Sequence, residues 1–251
     1  MTWDRVERFE GGPLDSHLWI PEYLPHWTTP DRSAARYAIT DDGLELRIDH
    51  DQRIWRTEDG EFRVSNVQTG AFCGPLGSTV GQHRVGRDPV VRTPRSTQNL
   101  WTPRAGAVEV LASASADPTC MLGIWLVGHE ESGPADSGEI CIAEVFGSTV
   151  SAASSTVRTG IKAHHDRRLE TDVVDVALPM DATQPHTYGC EWDHTGVRIT
   201  VDGVWIYRTA QALTYPVQLM LDLFEFPAGW RGEDDFPKTA TIHEVRLRAD
   251  G

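Results

Sequence analysis

Long helical periodicity is nearly absent from this chain of 251 residues. That argues against helical bundles and doubly wound α/β folds. No glycine-rich fingerprint leads from a strand into a helix, so no phosphate cradle is indicated. No serine nucleophile elbow occurs either. Positive charge is scarce: 23 Lys and Arg face 37 Asp and Glu, a net charge of −14. This argues against nucleic acid or an anionic membrane surface as a partner. The four cysteines, Cys73, Cys120, Cys141 and Cys190, are far apart and form no C-x-x-C, so no zinc or redox motif follows. The longest apolar run, near Met121 to Val127, is too short to span a bilayer. The start, Met1 to Glu7, is charged and lacks an apolar h-region, which gives the expectation of a cytoplasmic protein with reduced thiols.

What is present is strand after strand. Leu44 to Asp49 alternates strictly after an Asp-Asp-Gly turn. Val197 to Val201 alternates, turns at Asp202 and Gly203, and returns through Val204 to Tyr207, a hairpin signal. Ala107 to Leu111 and Met121 to Leu126 read as a further pair, Gln218 to Phe224 as another strand, and Thr241 to Leu247 as the last. Gly, Pro and Asp punctuate these runs, and the pattern predicts an all-β antiparallel sandwich. Residues 1–251 are expected to form a single domain, long enough to bury roughly three quarters of the unfolded surface. Gly74 to Pro103, poor in apolar residues, reads as a long loop of the kind that is often functional. Arg84, Arg87, Arg92, Arg95 and Arg104 lie in it or at its end, with no sign of a phosphate site. Nine tryptophans suit a protein that stacks sugar rings, although core packing accounts for most Trp in general.

The stretch that carries chemistry is Glu139-Ile140-Cys141-Ile142-Ala143-Glu144. It reads as a strand with two carboxylates five positions apart. Regular alternation puts Glu139 and Cys141 on one face and Glu144 on the other. One extra residue in a β-bulge brings Glu144 to the face of Glu139. Two carboxylates so placed are what glycoside hydrolysis requires. The plainer alternative is one solvent-facing Glu and one paired with an Arg.

These residues resemble glycoside hydrolase family 16, the laminarinase and lichenase group of β-glucanases. The strand E-I-C-I-A-E is similar to the family's bulged E-[ILV]-D-x-x-E, with Cys141 in place of the usual Asp. Matches continue in order at Phe9 to Gly11, Leu14 to Trp19, Gly106 to Val110, Ile124 to Leu126, His186 to Trp192 with Val201 to Gly203, and Tyr215 to Leu221. The resemblance implies a concanavalin-like β-jelly roll, two curved antiparallel sheets with a cleft across the concave one. It also implies a retaining endo-β-glycosidase, by hydrolysis or transglycosylation, acting on β-glucan or a related neutral glycan. Glu139 would be the nucleophile and Glu144 the general acid/base, with mutual repulsion raising one pKa to set the two roles apart.

Cys141 as a neutral thiol loses the tuning an Asp would give; the alternative is a carbohydrate-binding jelly roll with impaired or lost catalysis. Trp125 falls opposite Leu122, Ile124 and Leu126 on the alternation, so it either stacks a sugar in the cleft or packs in a core; the resemblance favours the cleft. Trp101 is a weaker candidate platform, as are Trp55, Phe224 and Phe226, the two Phe more as packing. Asp222 lies on a face that the family uses near the cleft. His164 is a candidate hydrogen-bond partner for substrate or Glu144, with a surface His as the alternative. His164 and His165 are adjacent and point apart on a strand, so no metal site is expected. Glu191 is expected on the convex side or in an ion pair. No cofactor is implied; a structural calcium is common in the family, but no ligands are assigned. A monomer is expected.

Overall fold

Alternating burial decides where each strand faces. The computed structural model describes residues 2–84, 86, 89–227 and 235–250. Among these, the strands are β1 (Arg5–Glu7), β2 (Arg36–Thr40), β3 (Gly43–Ile48), β4 (Arg63–Gln68), β5 (Gly70–Ala71), β6 (Gln98–Asn99), β7 (Gly106–Ser113) and β8 (Cys120–Gly128). They continue with β9 (Glu139–Phe146), β10 (Ser155–Lys162), β11 (Asp172–Leu178), β12 (His186–Asp193), β13 (Gly196–Val201), β14 (Val204–Thr209), β15 (Val217–Glu225) and β16 (Lys238–Ala249).

Two antiparallel sheets face each other. One has the order β14-β13-β12-β7-β16-β3-β2, with β1 also on β16; the other runs β11-β10-β9-β8-β15-β4. The hairpin at Asp202 and Gly203 forms as expected, both residues having positive φ (49° and 74°), which matches the twist of a primed turn. Strands β7 and β8 adjoin in sequence but do not pair. β7 lies between β12 and β16 of the first sheet, and β8 between β9 and β15 of the second. The chain crosses the sandwich between them.

The core lies between the sheets. Leu122, Ile124 and Leu126 of β8 meet Leu44, Leu46, Val108, Val110, Ile199 and Leu247 of the facing sheet in one cluster. The opposite, concave face of the second sheet carries Met121, Trp125, Val127, Cys141, Met220 and Phe224, which form a separate cluster with Tyr23, Leu24, Trp27, Trp55 and Val91. Both faces of β8, β9 and β15 are therefore covered, which is why these strands read as nearly continuous apolar runs. Strand β4 reads as polar yet is buried. Its Asn66 and Gln68 side chains are matched by hydrogen bonds to Asp222 (2.7 Å) and Gln218 (2.8 Å) on β15.

The bulge needed by the sequence is present in β9. On β8, Ile124 opposes Ala143 and Trp125 opposes Cys141; on β10, Arg158 opposes Glu144 and Gly160 opposes Cys141. Ile142 and Ala143 thus share the space of one residue and both face the core. The Thr159 hydroxyl lies 3.0 Å from the carbonyls of both Cys141 and Ile142 and braces the bulge. Beside it, Gly160 has φ +139°, and a Cβ there would stand 2.1 Å from the Asp172 carbonyl oxygen. Gly160→Ala is expected to lower the unfolding free energy by about 1–3 kcal/mol, read from the midpoint of urea denaturation.

Candidate active site

Glu139 and Cys141 before the bulge and Glu144 after it emerge on the same face of β9. A carboxylate oxygen of each Glu and the Cys141 sulfur lie within 4.8 Å of one another. Room for Glu144 comes from Gly123, directly opposite it on β8. A side chain at Gly123 would meet the Trp125 ring at 3.0 Å.

Two buried carboxylates this close repel strongly unless a cation lies between them. Lys162 supplies it. It opposes Glu139 on β10, and its Nζ lies 2.8 Å from Glu139 Oε1 and 2.6 Å from Glu144 Oε1. His164 Nε2 lies 2.8 Å from Glu139 Oε2. Burial alone would push the Glu139 carboxyl up, but the Lys162 charge and then the His164 contact override it and hold the pKa down at about 2. Burial lowers the Lys162 pKa, and the charges of Glu139 and Glu144 overcome that and raise it. Glu139 has both Lys162 and His164 as partners, and Glu144 has Lys162.

His164 is placed against Glu139, where the sequence suggested substrate or Glu144. Its backbone has φ 46° and leaves the strand, so it is not bound by strand alternation. Its ring also meets His83 edge-on, with centroids 5.0 Å apart. Burial pushes the His83 pKa down to about 3 and keeps that ring neutral. Donor atoms of His83, Glu139 and His164 lie within 4.8 Å of one another, a spacing that suits a cation, as does the Glu139, Cys141 and Glu144 group. The Lys162 ammonium already brings one positive charge to both carboxylates.

Cys141 is buried, and its Sγ points to the Arg158 carbonyl at 3.6 Å. Burial, followed by the Glu144 charge, drives the thiol pKa far up, so it is a neutral packing group. Trp125 faces the carboxylate side, but its ring is covered by His83 (6.5 Å, 29°) and Phe224 (5.6 Å), with Lys162 Nζ 5.2 Å from its centroid. Asp222 shares that face but is fully buried. Burial first, then repulsion from Glu139 and Glu144, pushes its pKa well up against the Asn66 hydrogen bond. Trp101 lies elsewhere, edge-on to Trp192 of the other sheet at 6.0 Å and packed on the inter-sheet core. Trp55 is buried and donates to the Tyr23 carbonyl, so it offers no sugar platform.

Glu191 lies on the far sheet, 3.7 Å from Arg198. Of the loop arginines, Arg92 pairs with Glu58, Arg95 with Glu22, Arg84 approaches Glu130 (3.8 Å) and Arg104 donates to the Thr214 carbonyl. Arg87 lies outside the described residues.

Sequence reasoning missed Lys162 and His83. For Lys162 a signal existed. The chain has two lysines, 162 and 238, and Ile161 in the core turns Lys162 outward beside the carboxylates. For His83 none existed, because only a long-range loop contact brings it near.

No protein-family model matches the sequence, and a search of curated proteins finds no match. Solved structures do match. A GlcNAcα1-4Gal-releasing endo-β-galactosidase from Clostridium perfringens aligns over 98% of this chain at 22% identity and TM-score 0.80. This chain spans 62% of that protein's length. The laminarinase catalytic domain of Thermotoga maritima aligns over 100% of this chain and 98% of its own at 16% identity and TM-score 0.68. The Crh5 transglycosylase aligns over 98% and 84% at 14% identity and TM-score 0.62. The fold is thus the jelly roll shared by these proteins.

Because Glu139 is held near 2 against an ordinary 4.5, its ion pair stabilises the fold above pH 4.5 and loses that contribution as pH falls from there toward 2. Lys162→Met is expected to cost roughly 3 kcal/mol at neutral pH. The gap to wild type should narrow in acid, as measured by urea denaturation at neutral and strongly acidic pH.

Proposed function

We propose that this protein is a retaining β-glycosidase of the family 16 type, with Glu139 as nucleophile and Glu144 as general acid/base. The observation that carries the reading is the bulged β9, which sets both carboxylates on the concave face with oxygens within 4.8 Å. That proximity suits a direct nucleophile better than an intervening water, which needs about 6.5–9.5 Å.

Glu139, ionised through Lys162 and His164, attacks the anomeric carbon and forms a glycosyl ester as the bond to the leaving oxygen breaks. Glu144 gives its proton to that oxygen. To carry that proton, Glu144 exchanges its contact with Lys162 for one with the glycosidic oxygen. As the ester forms, Glu139 loses its charge and Glu144, having given up its proton, becomes the carboxylate, with Lys162 within reach of both. A water then attacks the anomeric carbon as Glu144 takes its proton, the bond to Glu139 breaks, and the sugar leaves with Glu139 restored as a carboxylate. A sugar hydroxyl in place of water gives transglycosylation.

The substrate is a neutral β-linked glycan. The similar structures include proteins described as an endo-β-galactosidase and a laminarinase, so β-galactosides and β-glucosides are both to be assayed. A second reading, glycan binding without turnover, rests on the neutral thiol of Cys141 between the two Glu.

Glu144→Gln is expected to lower kcat about 10²–10⁴-fold, and Glu139→Gln to abolish turnover, both with unchanged folding by circular dichroism. Full activity in either variant sinks the assignment. Cys141→Asp buries a third carboxylate beside Lys162 and is expected to lower kcat/KM, whereas Cys141→Ser leaves it nearly unchanged. A large gain in the Asp variant would favour the second reading.

A further inference from the structure

The concave face is open on one side of the carboxylates and closed on the other. Exposure falls strand by strand across it. Asp175 on the edge strand β11 has 53% of its side chain exposed and Lys162 on β10 has 24%. Glu144 on β9 has 7%, Trp125 on β8 is 5% exposed, and Asp222 and Met220 on β15 are 0% exposed.

The closed side is a built wall. Tyr23, Leu24, Trp27, Trp55 and Val91 pack over Met220, Phe224 and Val64. Three chain segments supply them, and hydrogen bonds tie these together. Trp27 Nε1 donates to the Gln82 carbonyl (3.1 Å), and the Arg92 amide donates to the His26 carbonyl (2.7 Å). Thr28 Oγ1 donates to the Trp55 carbonyl (2.6 Å) and Thr93 Oγ1 to the Thr28 carbonyl (2.6 Å). At the wall's edge, the His83 amide donates to the buried Glu130 carboxylate (2.5 Å), and its ring lies over Trp125. Lifting this layer would strip several buried polar groups of their partners, so it is a fixed boundary.

From β9 to β15 is two strand spacings, about 10 Å, and a pyranose unit takes about one spacing. With β15 fully covered, that side holds one or two sugar units. The other side, over β10 and β11, is open among the described residues.

We propose that the site cuts near one end of a glycan chain and releases a mono- or disaccharide, in contrast to the internal cleavage that the family resemblance implies. The inference rests on the glycosidase reading. The sugar next to the broken bond sits against His83, which lies over Trp125, and the rest of the chain leaves over Lys162, Arg158 and Asp175.

The test digests linear β-1,3-glucan and β-1,4-galactan oligosaccharides, tagged with 2-aminobenzamide at the reducing end, together with a cyclic β-glucan. Products are separated at early conversion. The expected result is one mono- or disaccharide from the first time point and an intact cyclic glucan; the position of the tag identifies the end attacked. A ladder of intermediate lengths, or opening of the cyclic glucan, overturns the proposal and leaves the glycosidase reading standing. Absence of release from every glycan overturns both. His83→Ala thins the wall and is expected to shift the product one unit longer. An unchanged product in that variant overturns His83 as the boundary.

Discussion

The Lys162 ammonium holding two buried carboxylates is the interaction on which the rest of this face depends. Glu139 and Glu144 are both nearly inaccessible to water, and two such charges without compensation would neutralise or open the sheet. One lysine, 2.8 Å from the first and 2.6 Å from the second, lets both stay in place. The bulge at Ile142 and Ala143 aims Glu144 at it, Gly123 leaves the space, and Gly160 carries β10 past the bulge. The chain's other lysine, Lys238, has a similar setting, 3.2 Å from both Glu225 and Asp117.

Cys141 makes sense against that charge count. An acid at this position would be a third carboxylate sharing one ammonium. The thiol is neutral, fully buried and turned to a backbone carbonyl. The tuning that a neighbouring acid would give Glu139 comes here from across the strand pair, through Lys162, and from the end of β10, through His164.

Much of the fold was legible because it rests on local alternation. The strand at Leu44, the hairpin at Asp202 and the need for a bulge between Glu139 and Glu144 all followed from period-two patterns. What alternation does not carry is partnership. Strands β7 and β8 looked like neighbours and lie in opposite sheets. Strand β4 escaped notice because Ser65, Asn66 and Gln68 are polar, and only hydrogen bonds to Arg47, Asp222 and Gln218 make their burial tolerable. In the site, the two carboxylates and the cleft-side direction of Trp125 were legible. The covering of Trp125 and Asp222 was not, since it comes from segments at residues 20–28, 52–62, 81–84 and 89–92 that meet only in three dimensions.

In the reaction we propose, Glu139 becomes covalently attached to the sugar. Incubation with activated 2-deoxy-2-fluoro-β-glucoside and 2-deoxy-2-fluoro-β-galactoside, followed by proteolysis and mass spectrometry, tests it directly. The expected result is one fluoroglycosyl group on the peptide containing Glu139, lost when Glu139 is replaced by Gln. A label on Glu144 or elsewhere, or turnover of natural glycan with no label from either reagent, would contradict it.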